Sequence, residues 1–477
     1  MADSSENIFS PAAIPPSAAG ETAFKRMVRI AVPLIFNQGS VIMMLFVDRM
    51  FLSWYGTDEI SAVWPATFLY IACNTVFTGT LAFINVFVAQ YYGAGNRKMC
   101  ASAVWQGVFF SLSAYMVLLA VIPFGRQVFD LFGHRPEIAR LEKTYYTVLM
   151  AGASVMFLFN NTFAAFFTGR GQSHITMSAN VAGNALNVFL DWVLIFGNLG
   201  APRLGIFGAA IATAISSVVP PAIMCALFLS RSYQAEYGTR ANWKPRPRFL
   251  KKLLQMGFTS GAHDLTYFIA VAMFFMFMGR TLPESLAANN IAWSINDLLT
   301  LYAHGITLAG TTVLAQCIGE GRQEEGERLA YLVAKFLIGM ALLIGIFYLL
   351  APELIFKLFR PRIERPDNVP FELILAKGRV VLLLMIGYNV FNSVVYTFRQ
   401  ALRGAGDTGW FLKAGVPIDV LLFIPGILLA ARYFGSNYII LWCCFLLYLL
   451  VLGSAHFLRF RSAAWKRIDR GHLFEEM

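Results

Sequence analysis

Long apolar stretches recur along almost the whole chain and are separated by short polar segments. A helix needs about 20 apolar residues to cross the hydrocarbon core of a bilayer, and twelve stretches meet that requirement. The pattern therefore predicts an all-α polytopic membrane protein with twelve transmembrane helices. The predicted spans are residues 29–54, 61–91, 102–124, 144–168, 176–197, 205–230, 250–279, 285–316, 328–350, 373–402, 410–431 and 436–459.

Composition and charge agree with a membrane location. The 477 residues are 57% hydrophobic and only 14% charged, which excludes an ordinary soluble enzyme. Lys and Arg are more frequent on the side that carries both termini, so the positive-inside rule predicts cytoplasmic termini. The net charge of +11 is scattered over loops, which favours contact with anionic lipid and not with nucleic acid. We expect a monomer in the plasma membrane (the inner membrane) of a bacterium or archaeon.

The chain contains an internal repeat. Residues 89–95 (AQYYGAG) match residues 315–321 (AQCIGEG) at an offset of 226, which also aligns Gly79 with Gly305. Several matches in the same order indicate a duplication. Each half holds six spans, so both halves point the same way and a pseudo-twofold axis runs along the membrane normal. A second pair of glycine segments repeats in the same order, at residues 169–171 and 404–406.

The repeat divides the chain into two six-helix lobes. Two-lobed transporters bind substrate between the lobes and alternate access by rocking them. The predicted units are a polar N-terminal tail at 1–24, an N-lobe at 25–231, a basic cytoplasmic linker at 232–249, a C-lobe at 250–460 and a cytoplasmic tail at 461–477.

Polar residues inside the spans of the first half fall at similar depths. Asp48 lies in the first span and Thr213 in the sixth, while Asn187 and Asp191 share a face of the fifth because they are four residues apart. Intramembrane acids usually mark ion or proton pathways. Two carboxylates, an amide and a hydroxyl suit Na⁺, and two acids equally suit one shared proton. A structural ion pair between Asp48 and Arg49 is disfavoured, because adjacent helix residues point apart.

The second half carries a different polar set. Histidine titrates near neutral pH, so a proton role and a hydrogen-bonded structural role are both open. The ligand spacing supports no metal site, and the sequence has no Walker A or dinucleotide motif, so no cofactor is expected. The residues are His263 and Asp264 in the seventh span, Asp297 and His304 in the eighth, and Asn392 in the tenth.

Several motifs together resemble the MATE family, the multidrug and toxic compound extrusion transporters, of prokaryotic type. The resemblance covers roughly residues 25–460. Pro33 belongs to it; as a proline within the first span, it removes one helical hydrogen bond and allows a bend. The other motifs are residues 46–48 (FVD), 90–95 (QYYGAG), 169–172 (GRGQ), 187–191 (NVFLD), 197–205 (GNLGAPRLG), 208–213 (GAAIAT) and 402–408 (LRGAGDT).

The resemblance implies a V-shaped pair of six-helix lobes and antiport, in which H⁺ or Na⁺ enters while an organic, often cationic, compound leaves. It implies a cation-coupling site at Asp48, Asn187, Asp191 and Thr213, and a helix bend at Pro33.

The second half departs from one branch of the family. NorM-type members carry further acids in the seventh and tenth helices, at positions that match Tyr267 and Asn392 here. This difference favours coupling through the N-lobe alone. Tyr267 and the polar residues of the second half are then candidates for the substrate cavity.

Two other functions compete with an exporter. A flippase for lipid-linked precursors, of the same superfamily, is disfavoured because the candidate cavity cations Arg49, Lys335 and Arg399 are dispersed along the chain. An integral-membrane enzyme using the histidines and acids of the second half is disfavoured because covalent or metal chemistry usually leaves tighter residue spacing.

Overall fold

The computed structural model of the protein describes residues 22–131, 135–278, 283–357, 370–434 and 437–467. Within these ranges the regular structure is entirely helical, which confirms the predicted fold class. Most of the predicted tails, 1–24 and 461–477, lies outside the described residues. The twelve helices able to cross a membrane are α1 Ala23–Tyr55, α2 Ser61–Gly93, α3 Arg97–Asp130, α4 Pro136–Gly169, α5 Ser173–Phe196, α6 Ile206–Phe228, α7 Pro247–Met278, α8 Leu301–Gly319, α9 Gln323–Leu350, α10 Phe371–Ala405, α11 Phe411–Phe434 and α12 Tyr438–Arg461.

Four of the described crossings depart from a simple α-helix; α4 contains the π-helical segment Leu149–Ala153, and α6 is interrupted by a turn at Ser217 and Val218. The eighth is predicted as one helix, but it is divided at Thr300 into the helix Pro283–Leu299 and α8. In α11, two π-helical segments flank Pro417, whose missing N–H cannot complete an α-helical hydrogen bond. By contrast, α1 continues as a helix through Pro33.

Each lobe has its own apolar core, in which aromatic side chains pack together with aliphatic ones. In the N-lobe the rings of Phe166 and Phe228 meet edge to face at 4.9 Å. In the C-lobe the rings of Phe274 and Phe445 stack at 4.7 Å. Aromatic pairs of this kind add to the burial energy of each core, so each lobe is consolidated around its own helices.

The two lobes contact each other with twofold pseudosymmetry. Gly79 of α2 packs on α7, so closely that a Cβ added to it would lie 2.6 Å from the Gly261 Cα. Gly305 of α8 packs on α1, where an added Cβ would lie 2.9 Å from the Ile35 nitrogen. The offset of 226 relates Gly79 to Gly305 and Ile35 to Gly261, so these two crossings are equivalent. Small residues permit this close approach of membrane helices.

The repeated glycine segments join the lobes at one end of the bundle, the end where α1 begins and α12 ends, which we name the terminal face. The Gln90 side chain donates a hydrogen bond to the Gly404 carbonyl at 3.2 Å. The Gln316 side chain donates to the Gly169 carbonyl at 2.8 Å. Gln90 and Gln316 are equivalent in the repeat, and each reaches into the opposite lobe. We name this pair of hydrogen bonds the reciprocal lock.

Two glycines beside the reciprocal lock allow the backbones to touch. A Cβ added to Gly93 would lie 2.2 Å from the Gln316 carbonyl oxygen. A Cβ added to Gly319 would lie 2.0 Å from the Gln90 carbonyl oxygen. Both distances are far below van der Waals contact, so only glycine fits at these two positions in this arrangement of the lobes.

An ion pair supports the same face. The Arg26 guanidinium lies 2.7 Å from a Glu320 carboxylate oxygen, and both side chains are largely buried. The backbone N–H of Ala23 donates to the Glu325 carboxylate at 2.8 Å. The start of α1 is thereby attached to the segment that follows α8 in the other lobe.

The segment that joins the two halves is attached to the N-lobe. Trp105 donates to the Thr239 carbonyl at 2.7 Å. Gln106 donates to the Lys244 carbonyl at 3.1 Å and accepts from the Arg246 backbone N–H at 2.9 Å. The segment therefore lies along α3 until α7 begins at Pro247.

Candidate functional site

Two neighbouring buried acids of the N-lobe lie on α1 and α5. Asp191 is fully buried and Asp48 is only 6% exposed. Their carboxyl groups lie within hydrogen-bonding reach of each other. Two carboxylates have no donor between them, so this contact requires one shared proton or a bound cation. The arrangement is therefore able to take up and release one positive charge.

Asn187 and Thr213 extend this pair onto α6. The Asn187 amide donates to the Thr213 hydroxyl at 3.4 Å, and that hydroxyl donates to the Ala209 carbonyl at 3.0 Å. Several buried oxygens here have no hydrogen-bond donor within the described part of the chain. They are Oδ1 of Asp48, Oδ1 of Asn187 and both carboxylate oxygens of Asp191.

These oxygens fit a small hard cation as well as a proton. Na⁺ prefers oxygen ligands, as Ca²⁺ and Mg²⁺ do, and the cluster offers carboxylate, amide and hydroxyl oxygens without nitrogen or sulfur ligands. The oxygens of Asp48, Asn187, Asp191 and Thr213 would be the ligands. The structure thus brings all four sequence-predicted residues together on three contacting helices.

Neighbouring residues define the surroundings of the acid pair. The Arg49 guanidinium lies 4.2 Å from the centre of the Trp64 ring, a cation–π contact, and forms no ion pair with Asp48 within the described ranges. Tyr145 of α4 is buried near both acids and interacts electrostatically with them. Sequence analysis did not single out Tyr145, because a tyrosine in an apolar span carries no distinctive signal.

A central cavity of about 400 Å³ lies between the lobes. Its wall combines residues of α1, α2, α7, α8 and α10. Of the predicted substrate residues, Asp264, Tyr267 and His304 line it. Asp264 is paired with two arginines of α10, Arg399 and Arg403. Arg399 and Arg403 lie one turn apart on α10, so the cations that line the cavity are clustered. The sequence predicted dispersed cations because it offered Arg49 and Lys335 as candidates, and these two residues do not line the cavity.

The remaining predicted residues divide into two groups. Asp297 and Asn392 line a small adjoining cavity of about 40 Å³, to which His304 and Tyr396 also contribute. His304 and Tyr396 line the central cavity as well, so the two spaces share a wall.

His263 does not line either cavity. It is fully buried inside the C-lobe, where its ring stacks on Phe411 at 5.2 Å and meets His456 edge to face at 5.6 Å. Its Nε2 lies 3.6 Å from a carboxylate oxygen of Asp419. His263 and Asp264 are adjacent, and neighbouring helix residues point about 100° apart, so only one of them faces the cavity.

Asp419 is a buried acid that the sequence analysis missed. It accepts hydrogen bonds from the hydroxyls of Tyr448, at 2.7 Å, and Thr266, at 2.5 Å. The signal was present, because Asp419 lies in an apolar span just as Asp48 does. Its hydroxyl partners distinguish it from Asp48, whose buried Oδ1 accepts no hydrogen bond from the residues that the structure describes.

Two six-helix lobes with twofold pseudosymmetry, a polar cavity between them and a pair of neighbouring buried acids in the N-lobe define a membrane transporter. The chain belongs to the MatE family, which it matches over residues 33–193 and 262–418. The predicted family is confirmed, and with it the prediction of a transporter and not an enzyme.

Relatives and solved structures agree with this assignment. The chain is 26% identical over 459 residues to a protein of Thermotoga maritima named "Probable multidrug resistance protein NorM", covering 93% of each chain. It is 25% identical over 465 residues to a protein of the same name from Geobacillus kaustophilus, covering 94% of this chain and 96% of the relative. An outward-facing multidrug resistance MATE family transporter shares the fold with a TM-score of 0.82 at 21% identity, over 94% of this chain and 97% of that chain. A eukaryotic MATE transporter shares it with a TM-score of 0.79 at 16% identity, over 93% and 97%.

Proposed function

We propose that the protein is a secondary antiporter that exports amphipathic organic compounds while H⁺ or Na⁺ moves inward. The buried pair of Asp48 and Asp191 is the main support, because it changes charge when its proton or cation leaves. Relatives named as multidrug resistance proteins support organic compounds as substrates. The resemblance to the MATE family further suggests that many of these compounds are cationic. The ion gradient supplies the energy, so no cofactor is needed.

Coupling follows from the position of the pair, with Asp48 on α1 and Asp191 on α5. A bound proton holds the two carboxyls together, and its release leaves two like charges in a medium of low dielectric constant. The lobes then favour whichever arrangement best separates or hydrates these charges. Pro33 lies about four turns before Asp48 on the same helix, where one hydrogen bond is already missing. We therefore expect α1 to bend near Pro33 when the pair changes its charge.

Orientation follows from the basic residues. We propose that the terminal face is cytoplasmic and that the protein lies in a bacterial or archaeal plasma membrane as a monomer. Arg240, Lys244 and Arg246 lie on the segment between the lobes and Arg248 in the first turn of α7, where anionic headgroups of the inner leaflet would attract them. With the reciprocal lock formed, the cavity is closed toward the cytoplasm, and the lock must open before substrate enters.

Transport by purified protein in proteoliposomes tests the coupling. The pH and Na⁺ gradients are imposed separately, and efflux is followed for a cationic dye and a zwitterionic quinolone. We expect one gradient to drive flux in the wild type, and Asp48→Asn to abolish it without loss of folded protein. Asp130→Asn is the matched control, because it makes the same acid-to-amide change at an exposed position.

Asp191→Asn and the double variant complete the test. Groups that share one ion act on one step, so the double variant should be no worse than either single variant. Losses that multiply would show two independent sites. Gradient-driven flux at the wild-type rate in Asp48→Asn would remove this residue from the coupling mechanism.

A further inference from the structure

The charged side chains of the central cavity lie on its C-lobe wall. Its N-lobe wall offers neutral side chains, including Asn37, Gln38 and Thr75. Gln38 occupies the position that the repeat offset of 226 relates to Asp264, so the acid has no counterpart across the cavity. The charged side chains lining the described cavity belong to the C-lobe and are Asp264, Arg399 and Arg403.

These three charges do not balance. Arg403 donates to both oxygens of Asp264, at 2.9 and 2.8 Å, and Arg399 pairs with the same carboxylate. Both arginines are only 8% exposed. The Nε atoms of both are buried and have no acceptor within the described residues. One carboxylate thus serves two guanidinium groups, and a desolvated cation without full pairing is costly.

Nearby acids do not remove this excess from the cavity wall. Asp419 interacts electrostatically with Arg399, but it lies behind the wall and its oxygens accept from Thr266 and Tyr448. Asp297 lines the small adjoining cavity and not the central one. An anionic group that enters the cavity would therefore meet two guanidinium groups and one carboxylate that they already hold.

The rest of the wall suits an aromatic or apolar body. The Arg399 guanidinium lies 5.4 Å from the centre of the Tyr267 ring. Phe268 of α7 stacks on Phe68 of α2 at 4.6 Å, so an aromatic surface spans the two lobes. A volume of about 400 Å³ is in the range of pockets that hold drug-sized molecules.

We propose that the central cavity binds the anionic group of an amphipathic substrate, a carboxylate, sulfonate or phosphate, through Arg403 and Arg399. Asp264 is then a positioning residue that holds the two guanidinium groups side by side. Guanidinium groups bind such anions in bidentate fashion, and the aromatic wall holds the apolar part of the substrate. The proposal narrows the substrate class of the proposed exporter and rests on that function for its biological meaning.

Binding to three ligands with one aromatic body tests the charge preference. The full-length protein in nanodiscs of zwitterionic lipid is titrated with 2-naphthoxyacetate, its primary amide and the corresponding ethylammonium ether, and binding is followed by calorimetry. We expect the anion to bind about 10-fold or more tightly than the amide, since hydrogen bonds to charged groups are the stronger ones. Tighter binding of the ammonium ligand than of the anion would overturn the proposal.

Variants locate the effect. Arg403→Gln should weaken binding of the anion about 10-fold or more and leave binding of the amide unchanged. Arg49→Gln is the control, because Arg49 lies on Trp64 away from the cavity. Arg403→Gln removes the hydrogen bonds that Arg403 donates to Asp264. If the variant does not fold without them, the double variant Asp264→Asn with Arg403→Gln removes both charges together and is tested in its place. Unchanged affinity for the anion in the folded variant would overturn the assignment.

A competition experiment with an anionic lipid distinguishes the source of the anionic group. Phosphatidic acid is added to the nanodiscs at a few mole per cent during titration with 2-naphthoxyacetate. Competition that depends on Arg403 would support the site and assign its anion to a lipid headgroup, whereas binding without competition would assign it to a soluble compound. No ion gradient is present, so failure of the coupling mechanism leaves this result unaffected, and failure here leaves the coupling test unaffected.

Discussion

Replacing Gly93 or Gly319 by alanine should open the terminal face. The added Cβ at Gly93 would lie 2.2 Å from the Gln316 carbonyl oxygen, whereas ordinary contact begins near 3.4 Å, so the lobes must separate by about 1 Å. That separation stretches both hydrogen bonds of the reciprocal lock, which now measure 3.2 and 2.8 Å. Each such bond contributes about 0.5–1.5 kcal/mol net, so the closed arrangement loses about 1–3 kcal/mol.

This loss corresponds to an increase of about 5- to 150-fold in the ratio of open to closed terminal face. Double electron–electron resonance between spin labels at Lys98 and Glu324, both exposed, measures that ratio after the native cysteines are replaced. Twofold pseudosymmetry leads us to expect similar shifts for Gly93→Ala and Gly319→Ala.

Gly339→Ala is the matched control, because a Cβ there has nothing within 4 Å. It should leave the distance distribution unchanged. The reasoning would be refuted if both variants at the lock kept the wild-type distribution, or if Gly339→Ala opened the face equally.

Three further outcomes are expected. Asp264→Asn should keep ion-driven transport and alter substrate affinity, as flux of several substrates would show; loss of ion dependence with binding retained would place coupling in the C-lobe. Asn296→Leu should lower the free energy of unfolding of the purified protein by about 2–4 kcal/mol, because Tyr348 and Asn389 both donate to Asn296 and would be left unpaired. A thermal melt would show this as a lower midpoint temperature, and Ser294→Ala, at an exposed position, is the control. Arg26→Gln should shift the spin-label distances toward the open terminal face in the same direction as Gly93→Ala, since it breaks a buried ion pair with Glu320, and an unchanged distribution would exclude that pair from closure.

The sequence alone predicts the fold well, because each membrane crossing has a local signal. Apolar length identified the spans, and the repeat offset predicted the twofold relation later seen between Gly79 and Gly305. The departures come from backbone chemistry that apolar length does not report. Thr300 divides the eighth crossing, and Pro417 accompanies π-helical turns in α11.

Pairing across the fold is much less visible in the sequence. Asp48 and Asp191 were recognised because an acid in an apolar span is unusual by itself. The partners of Asp264 were not, because Arg403 lies 139 residues away, and its own motif offers the nearer acid Asp407, which pairs with Arg459 instead. His263 was assigned to the cavity because the apolar periodicity of α7 does not fix which of two adjacent polar residues faces inward.

The attachment of the connecting segment to α3 bears on the covalent continuity of the chain. Because Trp105 and Gln106 hold this segment up to Arg246, the peptide bond that precedes Pro247 is where the chain leaves the connecting segment and enters α7. A polypeptide ending at Arg246 would keep the segment as part of its own folded surface. Two separately synthesised halves divided there would have the same noncovalent contacts as the intact chain, and the reciprocal lock would then act as a subunit interface.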